Sequence, residues 1–528
     1  MESAHSPLPS VLCSVLSVKR QNCEVTLDPG LSLLSWRELR PRRGKDRSRP
    51  GICLTRVFHQ ARGLVNGFTH QFPSGGVTIP VTEIVSVGEE EIDEKYYNSM
   101  KWQHMCKPHA FTVRYVQRAR KHRWRCKEVT FWCNDEQLFY QWLQALNDLL
   151  EQQTHRPKYL LVYINPYGGK KRGKQIYETK VAPLFSAAGI CADVIVTEYA
   201  NHARDNLYEV NLEKYDGVVC VGGDGIFSEV LHGLIGRVQK GSDVDHNNPN
   251  AHLSQCNIRI GIIPAGSTDC ICYATVGIND PETSALHIIL GDCQPLDVCS
   301  VHNKRTFLKY SVSLLGYGFY GDVLKGTEKN RWCYICRQSS KQLEEQQKTQ
   351  AFGSEHRGKQ DDDWTTIKGR FMAINAVSMS CACPRTPKGL SPAAHLADGS
   401  ADLILVRKCS RLDFLRHLIR HTSNKDQFDF PFVEVYRVKN FQFTPKHFED
   451  EDTESTDIGI IGKKNFSQIC TDHPSCGCNH VNSIWNCDGE TLDQTAIEMR
   501  VHYQLIKLFA RGIENAKLED DVNQSKVL

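Results

Sequence analysis

Short stretches of strand-like composition dominate the first 150 residues, at Val11–Leu27, Val77–Val87, Phe111–Val116 and Val129–Cys133. At Glu136 the period lengthens. Leu138, Phe139, Trp142, Ala145, Leu146, Leu149 and Leu150 then fall on one face, which predicts a helix over Glu136–Leu150. Residues 1–152 therefore read as a small β module closed by one helix, with 41–76 as a loop or insertion. From Lys158 apolar strands (Leu160–Ile164, Val194–Thr197, Val218–Val221, Ile258–Ile263) alternate with helical stretches. That alternation marks βαβ units on a parallel sheet, here an α/β lobe over 155–300. Beyond Val301 longer strands return at Leu308–Leu315, Arg370–Val377, Ala401–Arg407, Phe432–Phe443 and Ile497–Phe509. They predict a β-rich, sandwich-like C-terminal lobe over 301–515, followed by a polar tail, 516–528. Polar residues 339–363 read as a linker, and Glu449–Asp457 as a solvated acidic loop.

Composition narrows the function classes. Lysine plus arginine against aspartate plus glutamate gives 64 − 61 = +3. Such a balance excludes coating of nucleic acid through bulk charge, so a basic partner surface has to be local. The 22 cysteines are scattered rather than framed as a disulfide scaffold, pointing to a reducing, cytosolic setting. No apolar run approaches the ~18–20 residues of a spanning helix. Glu2 and the serines at 14 and 17 do not suit a signal peptide.

Three glycine-rich turns each follow an α/β-lobe strand. The first is Asn165-Pro166-Tyr167-Gly168-Gly169-Lys170, the second Gly222-Gly223-Asp224-Gly225, and the third Pro264-Ala265-Gly266-Ser267-Thr268-Asp269. Adjacent glycines let backbone N–H groups approach phosphate oxygens, and a following helix offers its positive end. An acid set among three glycines at the carboxyl end of a strand stands where α/β folds place chemistry. For an alcohol nucleophile, a positioned carboxylate that accepts the proton contributes roughly 10²–10⁴-fold.

In this order and spacing the turns resemble the catalytic domain of the diacylglycerol kinase and sphingosine kinase family. Thr197-Glu198-Tyr199-Ala200-Asn201-His202-Ala203 and Asp488-Gly489-Glu490 extend the likeness. The runs Val219–Gly236, Ser313–Asp322, Ser378–Cys383 and Leu390–His395 are most similar to its ceramide kinase branch. The resemblance implies an ATP-dependent lipid kinase acting on the primary hydroxyl of ceramide to give ceramide 1-phosphate. It implies Mg²⁺ as cofactor, Ca²⁺ as a stimulatory ion, and a peripheral place on the cytosolic face of membranes such as the Golgi and plasma membrane. It places Asn165, Pro166, Tyr167, Gly168, Gly169, Thr197, Glu229, Gly266, Ser267, Thr268, Arg331, Asp488, Gly489 and Glu490 around ATP. Gly222, Gly223, Asp224 and Gly225 would face the lipid hydroxyl and the phosphates, with Asp224 as general base, and Asp322 the lipid headgroup. Sphingosine and diacylglycerol are the alternative substrates.

After Glu328-Lys329-Asn330-Arg331-Trp332 the sequence departs from the family. Trp332 runs directly into Cys333-Tyr334-Ile335-Cys336-Arg337, where the family has a helix, a strand and a second arginine near the nucleotide. A catalytically impaired lipid-binding relative is the rival reading on this ground.

Three weaker signals complete the sequence. The N-terminal module resembles a pleckstrin-homology domain, and its hairpin from Arg114 to Lys127 carries Arg118, Arg120, Lys121, Arg123 and Arg125, a setting for phosphoinositide headgroups. Residues 412–421 read as a basic amphipathic helix, suited to calmodulin or an anionic membrane, with inward packing of its apolar face as the plainer alternative. Cys470, Cys476, Cys478 and Cys487, with His473 and His480, lack the paired Cys-x2-Cys spacing of zinc knuckles and read as free thiols, so no metal ligand set is assigned. His202 reads as an orienting or capping residue.

Overall fold

The computed structural model describes residues 11–39, 76–90, 109–304, 306–329, 348–353, 364–384, 386–422, 426–446 and 483–513. Arg331, the acidic run 449–457, the cysteines at 470–478 and the segment following Trp332 lie outside them.

In the N-terminal module, strands β1 (Leu12–Val18), β2 (Gln21–Asp28), β3 (Leu33–Glu38), β4 (Val77–Pro80), β5 (Ile84–Glu89), β6 (His109–Arg118) and β7 (Trp124–Cys133) hydrogen-bond in the order β4-β3-β2-β1-β7-β6-β5. Helix α1 (Glu136–Glu151) closes the sheet, capped by the Asp135 carboxylate, which accepts from Gln137 and Leu138 N–H. Its Phe139, Trp142 and Leu146 are buried against Phe111 and Phe131, as the lengthened period requires. The expected strand Val11–Leu27 is a hairpin, turned at Lys19 and Arg20, both with positive φ.

The α/β lobe holds four parallel strands, β8 (Tyr159–Ile164), β9 (Cys191–Val196), β10 (Gly217–Gly222) and β11 (Arg259–Pro264), in the order β9-β8-β10-β11. Both sheet faces are covered. Leu161, Tyr163, Val218 and Cys220 pack into one core, and Leu160, Val162, Val219 and Val221 into the other, which explains strands without polar alternation. The helices that concern the site are α2 (His202–Glu209), α3 (Asp224–Gly241), α4 (Cys270–Val276) and α5 (Pro281–Leu290).

The second lobe contains β12 (Gln294–Asn303), β13 (Thr306–Ser311), β14 (Leu314–Gly318), helix α6 (Phe319–Lys329), β15 (Lys348–Gly353), β16 (Thr365–Val377), β17 (Ala401–Arg407), helix α7 (Arg411–Arg420), β18 (Val433–Val438), β19 (Asn440–Lys446), β20 (Trp485–Cys487), β21 (Glu490–Leu492) and β22 (Ile497–Leu508). Four sequence expectations change here. Leu308–Leu315 is broken after Ser311 into β13, which pairs β12, and β14, which pairs β16 and β20. Phe432–Phe443 is not one strand. β18 pairs β17, whereas β19 pairs β22, so the chain changes sheets at Lys439. Within the expected linker 339–363, β15 fills the gap between β16 and β19 and satisfies the backbone groups of both. Finally, β22 serves both lobes: it runs parallel to β11 at Lys507 and Leu508, and antiparallel to β12 and β19 elsewhere.

The basic hairpin of the N-terminal module lies against α5. Trp124 stacks on His287 with centroids 3.8 Å apart, and its N–H donates to Thr283 Oγ1 at 3.0 Å. Arg125 reaches Asp280 at 2.6 Å and Glu282 at 3.3 Å. Val85, Val116 and Trp124 thereby join the core formed by β8, β10 and α5. Arg118 is not directed at solvent, being bound to the buried Glu83 at 2.5 Å. Arg120, Lys121, Arg123 and Lys127 remain exposed. Among the described residues no helix is long and apolar enough to cross a membrane.

Candidate active site

The three glycine turns meet at the carboxyl ends of β8, β10 and β11. The ladder brings them together: Asn165 N–H donates to Val221 O, and Ala265 N–H to Gly222 O. Glycine then permits an approach that any side chain would block. A Cβ on Gly169, whose φ is +54°, would lie 2.6 Å from Ala265 O. On Gly266 it would lie 2.5 Å from Gly223 Cα and 2.5 Å from Asp269 Oδ1. The first turn is fixed from within, since Asn165 Oδ1 accepts from Tyr167 N–H at 2.8 Å and Gly168 N–H at 3.1 Å. Tyr167, Ser267, Thr268 and Gly225 stand exposed around the junction.

Asp224 opens α3 directly after this junction. Its two oxygens accept from Cys270 N–H at 3.0 Å and Ile271 N–H at 3.1 Å, at the start of α4. Burial pushes its carboxyl above the ordinary aspartate value, the two backbone donors hold it down, and the Asp488 charge raises it again. An ionised carboxylate offers about four acceptor sites, so two remain for a substrate proton. Asp269, quoted in the third turn but given no role there, is the neighbour that sequence reasoning missed. It is 7% exposed, accepts Gly266 N–H at 2.9 Å, and is pushed up to about 6 by burial, with the Asp224 charge adding to the rise. Its signal was its place as the last residue of the turn.

Other expected site residues hold the frame. Thr197 is buried, and its hydroxyl donates to Ile164 O at 3.3 Å. The Glu229 carboxylate accepts Ala203 N–H at 3.3 Å and a further backbone bond from Asn201, supplying the cap that Asn201 itself does not give α2. His202 Nδ1 accepts Glu198 N–H at 3.1 Å, an orienting role. Asp488 and Gly489 form the two-residue turn of the β20–β21 hairpin, with φ of 50° and 91°. The Asp488 carboxylate accepts five hydrogen bonds, from Ser311 Oγ, Val312 N–H, Ser313 N–H and Oγ, and Leu314 N–H, at 2.6–3.0 Å. Four of them converge on Oδ1 and one on Oδ2, and together they brace the link between β13 and β14. Glu490 pairs with Lys309 at 2.5 Å, a mostly buried lysine that the strand pattern did not single out. Asp322, in the first turn of α6, accepts Ser483 Oγ at 2.8 Å and Ile484 N–H at 3.3 Å. It stands on the second lobe, as do Asp488 to Glu490.

Family models match almost the whole chain: a ceramide kinase PH domain at 12–146, a diacylglycerol kinase catalytic domain at 159–301 and a ceramide kinase C-terminal domain at 322–525. A human ceramide kinase is 53% identical over 549 aligned residues, covering 95% of this chain and 97% of that protein. The chain belongs to the ceramide kinase family. A mouse ceramide kinase is 51% identical, covering 95% and 98%, and a human ceramide kinase-like protein is 30% identical, covering 71% and 72%. Membership in the ceramide kinase family makes the chain a lipid kinase with a pleckstrin-homology domain, and the kinase class implies ATP as phosphoryl donor.

Proposed function

We propose that this chain transfers the γ-phosphoryl group of ATP to the primary hydroxyl of ceramide, giving ceramide 1-phosphate, with Asp224 as general base. The observation that carries the reading is the meeting of three phosphate-type turns around one half-buried carboxylate whose affinity for a proton is raised. Backbone N–H groups of Gly169, Ser267 and Thr268 would cradle the phosphates, while those of Asn165, Tyr167, Gly168 and Gly266 are engaged in holding the turns. Asp224 takes the alcohol proton as the oxygen attacks, and phosphoryl transfer otherwise needs positioning and charge neutralisation. The Asp224 charge raises the proton affinity of the neighbouring Asp269, and two carboxylates so placed suit a divalent cation. Asp269, with Asp224 beside it, would hold Mg²⁺, which when bound neutralises phosphate charge. Glu229 and Asp488 are braces in this account: their carboxylates already hold 201–203 and 311–314 in place. Asp322, held by Ser483 Oγ and Ile484 N–H, would meet the lipid headgroup from the second lobe.

The exposed tip cations Arg120, Lys121 and Arg123 are the hairpin's candidates for anionic lipid. An Arg118 substitution would break the Glu83 pair and test the fold instead.

The deciding assay is transfer from labelled ATP to ceramide, sphingosine and diacylglycerol in mixed micelles, with Asp224→Asn in parallel. Transfer to ceramide that Asp224→Asn abolishes, with ATP binding retained, supports the proposal. Transfer to another of the lipids changes the substrate. A folded chain that transfers to none is the impaired relative, its missing segment after Trp332 being required.

A further inference from the structure

Helix α7 uses only part of its surface for packing. Ser410 caps it, its hydroxyl accepting Asp413 N–H at 3.2 Å. Its inner side buries Phe414 and His417. Phe414 meets Phe319, the first residue of α6, edge-on at 5.0 Å, and His421, just past the helix end, contacts His417 Nε2 to Nε2 at 3.3 Å. Leu412, Leu415 and Ile419 point the other way and are 67%, 52% and 57% exposed. At about 100° per residue these three fall in a stripe about 60° wide, on the side away from Phe414 and His421. Arg411 and Arg416 stand about 70° to either side of that stripe, and Arg420 lies further round beyond Arg416.

Single exposed leucines need no explanation, but an apolar stripe rimmed by charge marks an interaction surface. The rim has a sign. Arg411, Arg416 and Arg420 against Asp413 give 3 − 1 = +2 over ten residues. Arg416 pairs with Asp413 at 3.0 Å while its side chain stays 68% exposed. Arg420 donates to Asp426 O and lies over the Phe430 ring. An apolar stripe flanked by arginines is the arrangement of a helix lying in a bilayer interface, its aliphatic groups in the acyl boundary and its cations among the headgroups.

We propose that α7 is a docking helix for an anionic bilayer: Leu412, Leu415 and Ile419 enter the interface, Arg416 meets lipid phosphates, and the second lobe is thereby seated on the leaflet. Two observations favour a bilayer over a protein that encloses its target helix. The inner face is locked into the lobe by Phe414, His417 and His421, so enclosure would require α7 to be pulled off α6. A bilayer needs only the outer stripe. Phe319, the contact of α7, lies three positions before Asp322, so docking here would bring the expected headgroup residue toward the membrane. The inference concerns where the lobe sits, and it stands apart from the assignment of Asp224.

The test uses the full chain and vesicles of phosphatidylcholine with phosphatidylserine and no phosphoinositide. In Leu415→Trp, vesicles carrying brominated acyl chains should quench fluorescence beyond the quenching of the parent chain. Leu415→Asp/Ile419→Asp should lower vesicle partition at least about tenfold with melting temperature unchanged, and Arg416→Glu should lower it about fivefold or more. Should the double variant misfold, the tryptophan measurement decides alone. No added quenching in vesicle-bound Leu415→Trp overturns the proposal. So does a folded double variant with parental partition. Loss of calcium-dependent calmodulin binding, or of self-association, in that variant without any vesicle effect overturns it in favour of a protein partner or a second copy.

Discussion

Gly266→Ala tests whether contact between the glycine turns sets the catalytic geometry. The added Cβ would stand 2.5 Å from Gly223 Cα, where ordinary contact begins near 3.4 Å, so the second and third turns have to separate by about 3.4 − 2.5 = 0.9 Å. Asp269 Oδ1, also 2.5 Å away, has to leave its bond to Gly266 N–H. Overpacking of this kind costs about 1–3 kcal/mol, which in a domain of this size lowers Tm by roughly 2–12 °C. Catalysis should suffer more. Misplacement of a reacting group by about 1 Å costs on the order of 10²-fold, and Asp224 follows Gly223 directly in the chain. We expect kcat/KM for phosphoryl transfer to fall about 100-fold while the protein stays folded, as followed by labelled-ATP transfer and thermal melting. Gly241→Ala is the control: nothing lies within 4 Å of its added Cβ, and alanine at that helix position is neutral or slightly stabilising. A Gly266→Ala protein that keeps most of its kcat/KM would refute the idea that turn-to-turn contact positions Asp224.

Removal of the Asp488 brace in Asp488→Ala should cost on the order of 3–5 kcal/mol without nucleotide present, read as a lowered Tm; an unchanged Tm with weaker ATP binding would return Asp488 to the nucleotide. Arg125→Ala removes the cation that bridges the hairpin to Asp280 and Glu282 at the start of α5 and should weaken docking of the N-terminal module by roughly 2 kcal/mol, seen as faster proteolysis at the hairpin; parental proteolysis would show the ion pair to be dispensable. Burial, with His417 adding to it, lowers His421 from 6.5 to about 4, so the folded state prefers the neutral ring. Stability from this group is therefore complete above pH 6.5 and falls as pH drops toward about 4, by up to ~3 kcal/mol. His421→Phe should flatten the decline, and a parental pH profile of melting in that variant would exclude His421 as its source.

Local chemistry was legible in the sequence because it depends on neighbours along the chain. Apolar runs free of polar alternation specify strands covered on both faces, and strand–glycine–acid–helix specifies where a carboxylate emerges. The same holds for the Trp142 face of α1 and for the Asp488-Gly489 turn, whose residue types tolerate positive φ. Tertiary structure alone decided what those groups touch. Asp488 braces donors 174–177 positions earlier in the chain, and Trp124 docks on Thr283 across 159 positions. The basic hairpin reads as one ligand surface, yet Arg118 and Arg125 are spent on Glu83, Asp280 and Glu282, leaving the tip cations outward. In α7 the period named an apolar face, but only the lobe's shape determined that Phe414 turns inward and Leu412, Leu415 and Ile419 outward. Periodicity reports the geometry of a segment, whereas the partner of a buried charge is chosen by distant segments competing to satisfy it.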